Sequence, residues 1–342
     1  MSDSNENYGR NHTDLVSERV GGRALTCSDE WFAECENLVK QSDPIFRQGH
    51  FVATGQWMDG WESRRSFGRH ARDESGVDHD WCMLRLGIPG IINGVDIETT
   101  HFTGNAPEYA SLEGAWVDGD LSEDVEWFEI LPKSATTADA HNIFAVNSRQ
   151  PCTHLRLKIF PDGGVARLRA WGSAKQLREN YVEGELVDLV SVMVGGRGQQ
   201  CSDEFYSSPS NLLMPEQGAN MGDGWETRRR RDADHDWCIV KFGVPGSIRK
   251  VILDTAHFKG NFPDRFSLEA TYAESMDLQP EDLSWQTVIA ETPLRADQVH
   301  LFIKQILSKP EQQFTHVRLN IFPDGGVSRL RIFGSPDWEA AL

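Results

Sequence analysis

One run of motifs is written twice in this chain of 342 residues. Asp14-Leu15-Val16-Ser17 and Val20-Gly21-Gly22-Arg23 return as Asp188-Leu189-Val190-Ser191 and Val194-Gly195-Gly196-Arg197. Asp59-Gly60-Trp61-Glu62, followed by Arg64-Arg65, returns as Asp223-Gly224-Trp225-Glu226 with Arg228-Arg229. Asp78-His79-Asp80-Trp81-Cys82 returns unbroken as Asp234-His235-Asp236-Trp237-Cys238. His101-Phe102, Gly104 and Asn105 return as His257-Phe258, Gly260 and Asn261. Thr153-His154 and the later Pro161-Asp162-Gly163-Gly164-Val165 return as Thr315-His316 and Pro323-Asp324-Gly325-Gly326-Val327. A repeat of this length means two copies of one domain, not a solenoid of small units. The spacing changes between motifs and not within them, so insertions fall in loops, where a fold tolerates them. The expected organisation is a polar tail at 1–13, a first repeat at 14–173, a charged linker at 174–187, a second repeat at 188–335 and a short tail at 336–342.

Within each copy the texture is β. Cys82, Leu84, Leu86 and Ile88 alternate on one face, as do Cys238, Val240, Phe242 and Val244. Period two with one apolar face predicts a strand packed on a core. Pro89-Gly90 and Pro245-Gly246 are expected to turn the chain before a second strand at 95–102 and 251–258. Further strands are expected at 111–117, 125–130, 142–146, 153–160 and 165–171. Pro-Asp-Gly-Gly between the last two reads as a hairpin, with glycine available for positive φ. A helical turn or two is expected near 30–40. Many short strands with regular turns predict an all-β chain: two β-sandwiches of about eight strands each, with antiparallel, jelly-roll-like connections.

A net charge of −18 argues against non-specific binding to nucleic acid and against anionic membrane surfaces. The polar N-terminus has no hydrophobic signal core, and no apolar stretch could span a bilayer, so a cytoplasmic protein is expected. Six cysteines without a C-x-x-C pair suit that compartment and read as buried free thiols. Cys27 corresponds to Cys201 and Cys82 to Cys238, while Cys35 and Cys152 are unmatched.

Repeated arginine pairs in so acidic a chain point either to an anionic ligand or to internal carboxylates. Guanidinium forks bind a carboxylate bidentately when held rigid, which makes Arg64, Arg65, Arg228 and Arg229 candidate ligand-binding residues. Glu62 and Glu226 stand beside them, to position the arginines or act as base. His79 and His235 are flanked by carboxylates that fix a tautomer or raise a pKa, so they are candidate proton shuttles oriented by Asp80 and Asp236; the alternative is that these pairs merely tie the loop to the strand end. His101, His257, Asn105 and Asn261 follow the next strand and could face the same ligand; the alternative for the two histidines is that they cap a sheet edge. His154 and His316 sit in strongly apolar strands and read as satisfied core histidines. The histidines and aspartates are metal-ligand types, but no H-x-H or H-E-x-x-H spacing and no carboxylate-rich cluster obliges a cation, so no metal or other cofactor is expected. No phosphate-cradling glycine loop or nucleophile triad is evident. Cys82 and Cys238 point into the core by alternation. The first copy carries an insertion, Phe67-Gly68-Arg69-His70-Ala71-Arg72, between its arginines and Asp78, so the two copies need not be equivalent.

The full set of doubled motifs, spanning nearly the whole chain, resembles the allantoicase family. That resemblance implies tandem jelly-roll domains of the discoidin or galactose-binding type, a homo-oligomer, and hydrolysis of allantoate to ureidoglycolate and urea in purine degradation. Allantoate carries a carboxylate and two ureido groups on one carbon. Its cleavage needs a carboxylate clamp, an acid and a base, with no obligatory metal. The competing reading is a non-catalytic tandem discoidin-like module that binds a small anionic or carbohydrate ligand, since a sandwich alone does not fix function.

Overall fold

The computed structural model describes residues 8–67, 77–119, 121–122, 124–273 and 283–340. The insertion at 67–72 lies outside them, apart from Phe67. The chain divides into two compact units, 1–175 and 176–342.

The first unit is built from β1 (Thr13–Asp14), β2 (Arg23–Cys27), β3 (Phe51–Val52), β4 (Gly55–Gln56), β5 (Trp61–Glu62), β6 (Asp80–Glu98), β7 (Tyr109–Ala115), β8 (Phe128–Ala135), β9 (Ile143–Ala145), β10 (Cys152–Phe160), β11 (Gly164–Val165) and β12 (Arg167–Ala174). The second unit repeats the plan with β13 (Val187–Asp188), β14 (Arg197–Cys201), β15 (Trp225–Glu226), β16 (Asp236–Asp254), β17 (Arg265–Thr271), β18 (Gln286–Pro293), β19 (Val299–Phe302), β20 (Phe314–Phe322), β21 (Gly326–Val327) and β22 (Arg329–Pro336). Pairing is antiparallel throughout, in the order β1-β12-β6-β10-β7-β8, with β2 and β9 also on β6. The second unit runs β13-β22-β16-β20-β17-β18, with β14 and β19 on β16. The chain is all-β and tandemly duplicated.

One long strand serves both layers of each sandwich. The first part of β6 pairs with β10 and β2, and the last part pairs with β12 and β9. The expected turn at Pro89-Gly90 is therefore corrected. Proline there bends the strand but does not reverse it, because Gly90 still pairs across to β12. A Cβ at Gly90 would lie 2.3 Å from the Ser173 carbonyl oxygen, so only glycine permits this close approach. The alternation places Cys82, Leu84, Leu86 and Ile88 in the core, each 3% exposed or less. Burial of side chains such as Leu84 and Ile88 contributes roughly 1.5–3 kcal/mol each.

The Pro-Asp-Gly-Gly segment is not a hairpin either. β10 and β12 do not pair with each other; the segment arches from one layer to the other, and β11 pairs with β5. The loop that leads into β5 is pinned by an arginine in the core. Arg167 is wholly buried and gives Nη2 to Asp59 Oδ2 at 2.8 Å, Nη1 to the Asp59 carbonyl at 3.0 Å and Nε to the Ser42 carbonyl at 2.9 Å. Burial alone would raise the Asp59 carboxyl, but the Arg167 bonds hold it below the usual carboxylate range. Arg329 holds the equivalent loop through the Glu216 and Asp223 carbonyls and the Glu216 carboxylate.

His154 and His316 lie in the core, 5% and 1% exposed, each with Nδ1 against the hydroxyl of the preceding threonine. Satisfaction is incomplete for His316, whose buried Nε2 has no hydrogen-bond partner among the described residues. Burial, reinforced by the charges of Lys241 and Arg197, pushes the imidazole down to about 4. The folded protein therefore leaves this ring neutral, while the unfolded chain protonates it below about 6.5. Its contribution is intact above pH ~6.5 and is lost as pH falls toward ~4, costing on the order of 3 kcal/mol. Thermal melts from pH 7 to 4.5 should show a steeper decline for the wild type than for His316→Asn. Parallel declines would contradict the assignment.

Candidate functional site

The doubled Asp-Gly-Trp-Glu segment carries a glutamate on a short anchored strand, and in the second repeat that glutamate lines a cleft. Gly60 lets the turn approach β11, since a Cβ would lie 2.6 Å from the Val165 carbonyl oxygen. Trp61 is fully buried and donates its indole N–H to the Asp29 carbonyl at 2.8 Å; Trp225 does the same to Asp203 at 2.9 Å. The short strand thus fixed presents Glu62, whose Oε1 accepts a 2.7 Å bond from Asn105 Nδ2. Glu226 and Asn261 repeat this contact at 2.6 Å. The asparagine is held from behind by the Gly-Gly pair. Gly164 N–H donates to the Asn105 carbonyl at 2.7 Å, and Gly326 N–H to that of Asn261 at 2.8 Å. Gly163 sits at φ 138° and Gly325 at φ 130°, backbone that side chains rarely adopt.

In the second repeat these residues line a cleft of about 410 Å³ with Arg229, Tyr206, Thr227, Asp264 and Asp324. Arg229 is exposed and has no ion-pair partner among the described residues. Arg65 corresponds to it, and its charge acts on Glu62. Burial raises the Glu62 carboxyl above its ordinary range, while the Asn105 bond and the Arg65 charge partly offset the rise. The arrangement offers a carboxylate that can exchange protons, an amide with spare acceptor capacity (and, at Asn105, a spare donor), and a guanidinium for an anion.

The structure separates the other candidates from this cleft. Arg64 gives its backbone N–H and Nε to the two oxygens of Asp29, at 2.8 and 2.7 Å. Arg228 grips Asp203 in the same way at 2.9 and 2.8 Å. Asp80 and Asp236 are 1% exposed and accept from Ser28 and Ser202 at 2.9 and 2.8 Å; Asp236 also takes Arg230 Nη1 at 2.8 Å. His101 and His257 both stand at φ 72°. Their ring Nε2 groups donate to the Pro44 and Gly218 carbonyls, at 3.1 and 2.6 Å, and so brace the neighbouring loops. His79 contacts Asp78 at 3.0 Å and packs on Phe160. His235 stacks on Phe322 at 4.5 Å and reaches Asn320 at 3.3 Å. It does not line the Glu226 cleft.

Sequence reasoning passed over the residues that organise this frame. Cys27-Ser28-Asp29-Glu30 is itself repeated as Cys201-Ser202-Asp203-Glu204, and only the cysteines drew notice. Asp162 and Asp324, inside the Pro-Asp-Gly-Gly motif, accept the backbone N–H groups of Ser66 and Arg230 at 2.6 and 2.8 Å. Tyr206 carries no pattern that could have placed it at the cleft.

The family model for the allantoicase repeat matches residues 13–175 and again 187–337. A probable allantoicase of Pseudomonas aeruginosa is 43% identical over 331 residues, covering 96% of this chain and 97% of its own. The allantoicase of Dictyostelium discoideum is 43% identical over 326 residues, 93% of this chain and 86% of its own. The crystal structure of allantoicase from Saccharomyces cerevisiae superposes with a TM-score of 0.78 at 32% identity, over 95% of this chain and 94% of that one.

Proposed function

The chain belongs to the allantoicase family, and we propose that it hydrolyses allantoate to ureidoglycolate and urea at the repeated Glu–Asn–Arg groupings just described. The activity is that of a hydrolase of carbon–nitrogen bonds in linear amidines, a step of purine degradation. Matches to named allantoicases over nearly the full chain favour this over the non-catalytic binding module. The observation that carries the placement is the duplicated Glu–Asn contact beside an arginine, which in the second repeat, as Arg229, has no ion-pair partner among the described residues.

The chemistry follows from the groups present. Arg229, or Arg65 in the first repeat, pairs with the allantoate carboxylate. The glutamate takes the N–H proton of the retained ureido group and passes it to the nitrogen of the departing one. The carbon–nitrogen bond breaks, urea leaves and an acyl-imine remains. Water then adds to that carbon; the glutamate accepts the water proton and returns it to the imine nitrogen, giving ureidoglycolate. One carboxylate serves as base and acid in turn, so atoms and protons balance without a further cofactor. Asn105 keeps its second amide hydrogen and its side-chain carbonyl for the ureido groups, and Asn261, whose second amide hydrogen reaches Met221 Sδ at 3.6 Å, keeps its side-chain carbonyl, while Arg64, Arg228, Asp80, Asp236, His101 and His257 position the frame. In this reading the proton transfer expected of His79 and His235 passes to Glu62 and Glu226.

The same reading takes the protein as a cytoplasmic homo-oligomer with a small-molecule substrate. In support, no helix among the described residues is long and apolar enough to cross a membrane, and none of the six cysteines is in a disulfide. Incubation of the purified protein with allantoate should release urea and ureidoglycolate in equal amounts, the latter measurable as glyoxylate. Absence of both products would overturn the activity.

A further inference from the structure

The first repeat gathers thiols where the second does not. Cys27 ends β2 and is paired in register with Cys82 of β6. The next segment brings back Glu30 and then Cys35, which opens the 3-10 turn Cys35–Val39. The Sγ atoms of Cys27 and Cys35 and a carboxylate oxygen of Glu30 all lie within 4.8 Å of one another. This is the one such grouping of three among the described residues. Glu30 is already oriented, because its Oε2 accepts the Cys35 backbone N–H at 3.0 Å. The fully buried Cys82 thiol adjoins that of Cys35 from below. Cys35 is buried, Cys27 half-buried and Glu30 exposed, which gives an approach from solvent.

We propose that Cys27, Glu30, Cys35 and Cys82 form a structural site for a zinc-class divalent cation. Thiolates with one carboxylate favour zinc, cadmium or cobalt over calcium and magnesium. Four-coordinate zinc holds its sulfurs at about 2.3 Å, so neighbouring ligand atoms stand roughly 3.8 Å apart; the ligand atoms of Cys27, Glu30 and Cys35 already stand within 4.8 Å of one another, and Cys82, which lies outside that grouping, would have to rotate toward them to complete the set. The second repeat keeps Cys201, Glu204 and Cys238, but its turn Pro209–Leu213 begins with proline where the first has Cys35. It is thus a control within the same chain. The ion would tie β2 and the Cys35–Val39 turn to β6. That turn carries Asn37, whose Nδ2 donates to the Gly60 carbonyl at 2.9 Å, directly before the Glu62 strand. The site therefore buttresses the cleft without touching substrate. Binding displaces thiol protons, so affinity rises with pH.

The test uses the full-length protein, reduced and stripped with chelator, then titrated with cobalt(II). One equivalent per chain should bind, with the intense sulfur-to-cobalt charge-transfer absorption of a tetrahedral thiolate site and a rise in melting temperature. Cys27→Ser and Cys35→Ser should each weaken binding at least tenfold, and Cys201→Ser and Cys152→Ser should leave it unchanged. Cys35→Pro, which installs the residue already tolerated in the second repeat, should fold and also lose the absorption. A wild-type protein with no thiolate band would overturn the site. So would a band that survives in Cys35→Pro, or a Cys27–Cys35 disulfide forming in air with no metal uptake by the reduced protein.

Discussion

The double variant Glu62→Gln/Glu226→Gln should lose between about 10² and 10⁴ of kcat, with KM for allantoate changed by less than about threefold. Glutamine keeps the size of the side chain and an oxygen for Asn105 or Asn261, so the cleft stays formed. What it removes is the capacity to carry a proton. In the scheme above the glutamate moves a proton four times per turnover, and those transfers occur only on the way through the transition states. Their loss therefore falls on kcat and kcat/KM together. The single variants apportion the work between repeats: equal partial losses mean that both clefts turn over, and a full loss from one means that the other is scaffold. Circular dichroism and melting temperature should stay at wild-type values. The Asn105→Ala change adds a directional check. Asn105 donates to the carboxylate and so favours its ionised form. Its removal should move the acid limb of the Glu62 activity to higher pH.

The double variant Arg65→Ala/Arg229→Ala should lower kcat/KM by on the order of 10²–10⁴-fold, mostly through KM. A bidentate carboxylate clamp consists of two charge-assisted bonds worth roughly 1.5–3 kcal/mol each, and every ~1.4 kcal/mol is tenfold. The substrate carboxylate does not react, so the clamp contributes equally to ground and transition states, and the loss appears as binding. Lysine at both positions should recover part of the affinity through charge and miss the rest for want of a fork. The neighbouring arginines provide the contrast. Arg64→Ala and Arg228→Ala free a carboxylate of Asp29 or Asp203 that is mostly shielded from water. They should lower melting temperature first, leaving KM in the surviving folded protein within a fewfold of wild type.

These contrasts show where the sequence was readable and where it was not. Duplication, the β texture and the inward faces from Cys82 to Ile88 follow from period and repetition, which are carried by the local order of residues alone. Pro89-Gly90 did not: a proline-glycine pair reverses a chain or bends a strand according to what packs against it, here the Ser173 backbone. The Pro-Asp-Gly-Gly arch looked like a hairpin because its turn chemistry is the same; only the partner strand distinguishes them, and that partner, β5, lies about a hundred residues earlier. In the site, Glu62, Asn105 and the arginine pair were all legible as repeated polar residues. Which arginine faces a ligand was not. Consecutive side chains on extended backbone point opposite ways, and the choice was made by Asp29 and Asp203, distant partners that take Arg64 and Arg228 and leave Arg65 and Arg229. His79 and Asp80 divide for the same reason. Asp80 turns inward to Ser28, and His79 lies on Phe160.

The most direct test is the ratio of urea release at saturating allantoate by the folded Glu62→Gln/Glu226→Gln protein to that by His79→Ala/His235→Ala. With proton transfer on the glutamates and the histidines packed beside phenylalanine rings, the expected ratio is below about 0.1. A ratio of one or more would contradict the glutamate cleft as the seat of the reaction.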